Sequence, residues 1–143
     1  MNFAGKLAAT ALLASSLILS GCGQAQIGAV NVTKIMEEAP RVKTLTSEAE
    51  TKVKEAQQKF EQDMADKPDM TDEEKLKLQM EFQRKLDGIN QAYAAQIKNR
   101  MDVVIEEISR EKNIDVVINN SKDQELIFHG AIDVTEEVIK KMQ

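Results

Sequence analysis

Between Arg41 and Asp66, apolar side chains recur at Val42, Leu45, Ala49, Val53, Ala56, Phe60 and Met64, in steps of 3, 4, 4, 3, 4 and 4 residues. That period places them on one stripe of an α-helix whose remaining surface is polar. Lys67-Pro68-Asp69-Met70 interrupts the pattern. Thr71 and Glu74 then form a T-x-x-E capping box, which satisfies free N–H groups at a new helix start. The stripe resumes at Leu78, Phe82, Leu86, Ile89, Tyr93, Ile97, Met101, Val104 and Ile108. Gly88 is its one weak interior residue, at a cost of roughly 1 kcal/mol against Ala.

The two stripes share a register. If the chain folds back at the Pro68–Met70 turn, residues that face each other have numbers with a constant sum. Phe60 with Leu78, Ala56 with Phe82, Ala49 with Ile89 and Leu45 with Tyr93 each give 138. Val53 with Leu86, Val42 with Ile97 and Ile35 with Val104 give 139. The implied centre falls at Asp69, inside the turn that local chemistry selects. An antiparallel helical hairpin is therefore predicted. The competing arrangement, one continuous helix in a parallel coiled coil, conflicts with Pro68 and the fresh capping box.

The flanks have a different period. Residues 27–32 (IGAVNV) read as a buried strand, and Thr33 can cap a helix beginning TKIMEEA. Pro40 predicts a kink or restart near Glu38–Arg41. After Lys112-Asn113, residues 114–118 (IDVVI) and 125–129 (ELIFH) flank a polar turn and read as a β-hairpin. Gly130 allows a turn, and Asp133 or Thr135 caps a last helix running through Met142. The fold class is α+β: a long helical hairpin (40–112, tip near 67–70) on a small β-containing body (27–39 and 113–143). A narrow seam and three short strands with open edges predict that the bodies associate with one another.

The first residues read as a targeting segment. Lys6 precedes an apolar run, Leu7–Leu19, that is too short to span a bilayer comfortably and suits a signal-peptide core. Leu19-Ser20-Gly21-Cys22 resembles the lipobox of bacterial lipoproteins. That resemblance implies a signal peptide over 1–21, a diacylglycerol on the Cys22 thiol and a linker over 22–26, with membrane attachment through the acyl chains. Gly23, a non-Asp residue after the cysteine, implies the outer rather than the inner membrane under the sorting rule of enterobacterial lipoproteins. Cleavage after Ala25, which would discard Cys22, is the competing reading; the chain's single Cys falls at the lipobox.

Composition narrows the chemistry. Charged residues make up 30% and aromatics 3%, with no Trp, which can line a helical seam but not fill a thick core. Without Lys6, 18 basic residues stand against 24 acidic ones, so bulk charge disfavours a nucleic-acid partner. One Cys and one His give no framework for a metal site or disulfides, and no cofactor is expected. His129 reads as a strand terminator. Asp72-Glu73-Glu74 occupies the first turn of a helix, where carboxylates complement its dipole. No phosphate loop or nucleophile–base set occurs, so an enzyme is not expected.

Three segments together resemble the Skp (OmpH-like) periplasmic chaperone family. They are Ala29-Val30-Asn31-Val32 before the arm, Ile114-Asp115-Val116-Val117-Ile118 after it, and Gly130-Ala131-Ile132-Asp133-Val134-Thr135-Glu136-Glu137-Val138-Ile139 at the end. The resemblance runs from about Gln26 onward. It implies a homotrimer with a β body and three arms around a cavity, and an ATP-independent holdase for unfolded outer-membrane proteins. This chain departs from well-studied members in its acidity and in Cys22, which suggests tethering on the periplasmic side of the envelope. The alternative is a lipid-anchored spacer or scaffold without chaperone activity.

Four apolar residues near the tip are candidate client contacts: Met64, Met70, Leu76 and Met80. Methionine is flexible and polarizable and so suits changing apolar partners. The same residues would equally serve to pack a neighbouring helix or cover the seam. The interleaved charges Lys52, Lys54, Glu55, Lys59 and Glu61 read as a solvated helical face.

Overall fold

A computed structural model describes residues 25–121 and 129–143. The signal segment 1–21, Cys22 and most of the strand read at 125–129 lie outside them. The chain begins with strand β1 (Ile27–Val30), followed by helices α1 (Val32–Glu38), α2 (Pro40–Ala65) and α3 (Asp72–Lys112). Strands β2 (Val116–Asn119) and β3 (Ile132–Asp133) and helix α4 (Thr135–Lys141) complete it.

Sequence chemistry sets each boundary. Pro40 stands at the start of α2 after an extended Ala39, so the predicted break falls where proline tolerates a helix start but not a helix interior. The expected cap of α1 needs correction. Asn31, not Thr33, occupies the cap position, its Oδ1 accepting from the Lys34 N–H at 2.9 Å. The helix thus begins two residues before the expected start, and the Thr33 N–H donates to Ser121 Oγ instead. At the tip the capping box forms as read: Glu74 N–H donates to Thr71 Oγ1, and Thr71 N–H donates to Glu74 Oε2 at 2.8 Å. The Thr71 N–H, and the Thr71 hydroxyl that also donates to Oε2 at 3.0 Å, hold the Glu74 carboxyl below the usual carboxylate range. Asn113 ends α3 in the left-handed region with φ 55°, which Asn tolerates better than most residues.

Helices α2 and α3, about 39 Å and 62 Å long at 1.5 Å per residue, pack against each other as the arm. Every apolar residue assigned to the two stripes is buried or half-buried. Near the tip, the Phe60 and Phe82 rings stack with centroids 4.6 Å apart. The constant sum assigned Phe60 to Leu78, one helical turn away. Helical side chains lean toward their own N-terminus, so Phe60 leans toward the body and Phe82 toward the tip. In an antiparallel pair these leanings converge, and the rings meet between layers.

The body is held by a single apolar cluster. Val30, Ile35, Ala39, Val42, Leu45, Ile97, Val104, Ile108, Ile114, Val134, Val138 and Met142 are all buried in it. It joins the first strand, all four helices and Ile114, two residues past α3. The final helix is fastened at its rim as well. Arg41 N–H donates to the Met142 carbonyl at 3.0 Å, and Arg100 Nη2 donates to the Lys141 carbonyl at 2.8 Å. Lys141 Nζ bridges Glu107 and Glu111 at 2.8 and 2.7 Å, and Lys112 pairs with Glu137. The cap of α4 was read as Asp133 or Thr135. Val134 occupies the position, and Asp133 Oδ1 instead accepts the Thr135 N–H at 2.9 Å.

The sheet has the order β2-β1-β3, with β1 parallel to both neighbours. Parallel pairing requires a long crossover, and the entire arm supplies it between β1 and β2. The expected pairing of 114–118 with 125–129 falls on residues outside the described ones; within them β2 pairs with β1, and Ile114 is buried ahead of the strand. His129, read as a strand end, lies in a bend beside Gly130, whose φ of 92° explains the glycine. A Cβ on Gly28 would come within 3.0 Å of Ile114 Cγ2, so glycine there lets β1 lie close to the chain leaving α3.

Leu45→Ala, inside the cluster, is expected to cost about 2–5 kcal/mol in urea unfolding, and Leu86→Ala, on the half-buried outer seam, clearly less. The Glu74 contribution to the tip has a definite pH sign. A lowered folded pKa means that the contribution is present above the ordinary carboxylate range and is lost as pH falls through the lowered value. Helical carbon shifts of residues 72–75 should collapse in that acid range, and Glu74→Gln should remove the part of the titration that belongs to this residue.

Candidate functional site

The structure separates the four candidate contacts into two groups. Met64, in the last turn of α2, and Met70, in the turn itself, are half-buried. Met70 shares a shallow depression with Asp63, Lys67, Glu74, Lys77, Leu78 and Glu81. Its backbone N–H donates to the Lys67 carbonyl at 3.3 Å, which tightens the turn. Leu76 and Met80 instead project from α3 away from the seam, 58% and 47% exposed. Their i, i+4 spacing makes them one ridge over successive turns. Leu78, between them in sequence, faces the seam and lines a cavity with Ala56, Phe60 and Phe82.

Charge is unevenly spread along the arm. Between Glu61 and Lys75 there are seven carboxylates and two lysines, a local balance of −5. The remainder of the chain after Cys22, with 17 acidic and 16 basic residues, carries only −1. Of the tip carboxylates, Asp63 is half-buried and the others are exposed, and among the described residues none forms an ion pair. The middle of the arm behaves as expected for a solvated face. Lys52 pairs with Glu55 at 2.7 Å, Gln57 Nε2 donates to Glu61 at 3.0 Å, and Lys98 pairs with Asp102.

A second apolar surface, not identified as a site from the sequence, lies on the sheet. Ile27 and Val116 are register partners in neighbouring strands, 40% and 52% exposed. Ile132, in β3, pairs in register with Gly28 and so lies on the opposite face of the sheet from Ile27, 38% exposed. Nothing in the sequence singled out Ile27: Ala29, on the same face, is buried, and a run of small and apolar residues reads as buried on both faces. Met36 and Val103 are further exposed apolar side chains, on α1 and α3.

Other features offer little chemistry. A small cavity is lined by Asn31, Asn120, His129, Asp133 and Thr135, beside a segment outside the described residues. Among the described residues no three His, Cys, Asp or Glu side chains group as metal ligands, and no helix is long and apolar enough to cross a membrane.

No curated protein matches the chain significantly. A protein family does: that described as outer membrane protein (OmpH-like) matches residues 26–142, from the residue before β1 to the C-cap of α4. The matched span contains the strand, the rooted helical arm, the returning strands and the closing helix in one unit, and the chain belongs to the OmpH-like family.

Proposed function

We propose that this chain is an ATP-independent holdase that shields unfolded outer-membrane or other envelope proteins between helical arms, tethered to a membrane by acylation at Cys22. Membership supports a non-enzymatic, periplasmic chaperone-type role in general, and the match across 26–142 is the observation that carries the reading. In this reading residues 1–21 are the signal peptide and 22–26 the acylated linker. The body spans 27–39 and 113–143, and the arm spans 40–112.

The working unit is a homotrimer. A three-stranded parallel sheet bearing exposed Ile27 and Val116 leaves apolar area in water that association of three bodies would cover. Three arms about 60 Å long then surround a space open at the tips. Binding needs no nucleotide, because apolar contact made through exposed, adaptable side chains is favourable in itself. Leu76, Met80, Met64 and Met70 are the proposed client contacts. Tethering confines the cage to one membrane surface, with the outer membrane favoured by Gly23.

Diluting a urea-unfolded β-barrel protein into buffer with an equimolar amount of the trimer should suppress light scattering without ATP. Unchanged scattering would refute the holdase and leave a spacer or scaffold. Mass spectrometry of the mature amino terminus should show acylated Cys22; a terminus at Gln26 would remove the tether. Light scattering coupled to size exclusion should give three chains per particle, and Val116→Asp should shift that mass toward the monomer.

A further inference from the structure

We propose that the exposed Leu76–Met80 ridge, at the acidic end of the arm, docks segments of unfolded polypeptide that are amphipathic and cationic at one end. The inference rests on the holdase reading and narrows its client class. The ridge is an unpartnered face of α3, with 58% of Leu76 and 47% of Met80 open to water. Two apolar side chains one turn apart match the i, i+4 anchors of an amphipathic helix or alternate residues of an extended chain.

Charge decides the occupant. The carboxylates of residues 61–75 crowd the end of α2, the tip turn and the first turn of α3, where neighbours one helical turn apart (about 5.4 Å) fall inside a Debye length and act together on an approaching chain. That balance is −5, and no lysine or arginine among the described residues is paired to those carboxylates. An anionic lipid surface or an acidic segment is repelled. A second copy of this tip is repelled for the same reason. Further along α3, over residues 76–85, Lys77, Arg84 and Lys85 outnumber Glu81, so the field changes sign within about three turns. The occupant is thus oriented, with its cationic end toward the Asp66–Asp72 turn and its apolar residues over Leu76 and Met80.

The test uses the full chain in nanodiscs of zwitterionic lipid, with empty discs as the blank, and two fluorescent peptides of about 20 residues that share apolar positions and carry lysines or glutamates at one end. Anisotropy should show the lysine peptide binding about tenfold more tightly, with the preference shrinking as salt is raised. Leu76→Ser with Met80→Ser should weaken it about tenfold at unchanged helicity. If that pair loses helicity, Leu76→Gln with Met80→Gln, both compatible with a helix, carries the comparison. Neutralising Asp66, Asp69 and Asp72 to Asn and Glu73 to Gln should bring the two peptides to similar affinity. Equal binding of both peptides by the unaltered chain, or undiminished binding by the folded ridge variant, overturns the proposal. Suppression of barrel aggregation without any charge preference would sink this inference and leave the holdase standing. Failure to suppress aggregation would instead sink the holdase itself.

Discussion

The arm depends on one apolar cluster where it leaves the body. A two-helix seam a single stripe wide cannot bury much area per residue, and its outer half, from Val53 and Leu86 to the tip, is mostly half-buried. Toward the body, Ile35, Leu45, Val104, Ile108, Val138 and Met142 are almost wholly removed from water. The last residues of the chain therefore close the root of an arm that starts a hundred residues earlier. Ion pairs along α4 decorate that closure. They are partly exposed and each adds little, whereas the buried Val138 and Met142 supply the attachment.

This arrangement separates two tasks along one chain. The root is dry and well packed, and the tip is wet, charged and edged with adaptable apolar side chains. Packing toward the root fixes where the arm points, while the tip keeps surface free because its seam residues, Phe60 and Phe82, satisfy each other by stacking. Among the described residues Leu76 and Met80 remain exposed, with no such partner. Their exposure costs solubility unless something uses it, and the seven nearby carboxylates offset that cost by keeping copies apart.

Much of this was legible before any coordinates. The 3-4 spacing, Pro68, the Thr71–Glu74 box and Pro40 located both helices and their ends, because each acts through chemistry local to a few residues. What escaped was non-local. The cap was expected at Thr33 and falls at Asn31, a choice that turns on Asn119 and Ser121, nearly ninety residues away, which accept from the Val32 and Thr33 amides. The parallel pairing of β2 with β1 escaped for a related reason: its partners lie at opposite ends of the arm, and only the arm's return brings β2 beside β1. Among the site residues, exposure at Leu76 and Met80 agreed with their position off the stripe. The exposure of Ile27 and Val116, the first residues of β1 and β2, stayed hidden because a run of small apolar residues carries no clear alternation.

The proposed holdase would grip its clients by the far end of the arms and not by the body. Photoreactive amino acids placed singly at positions 76, 80 and 140 of the acylated protein, irradiated with an unfolded β-barrel protein bound, test it directly. Adducts should concentrate at 76 and 80 and be sparse at 140, on the closing helix. The reverse distribution, with strong adducts at 140 and none near the tip, would contradict the account.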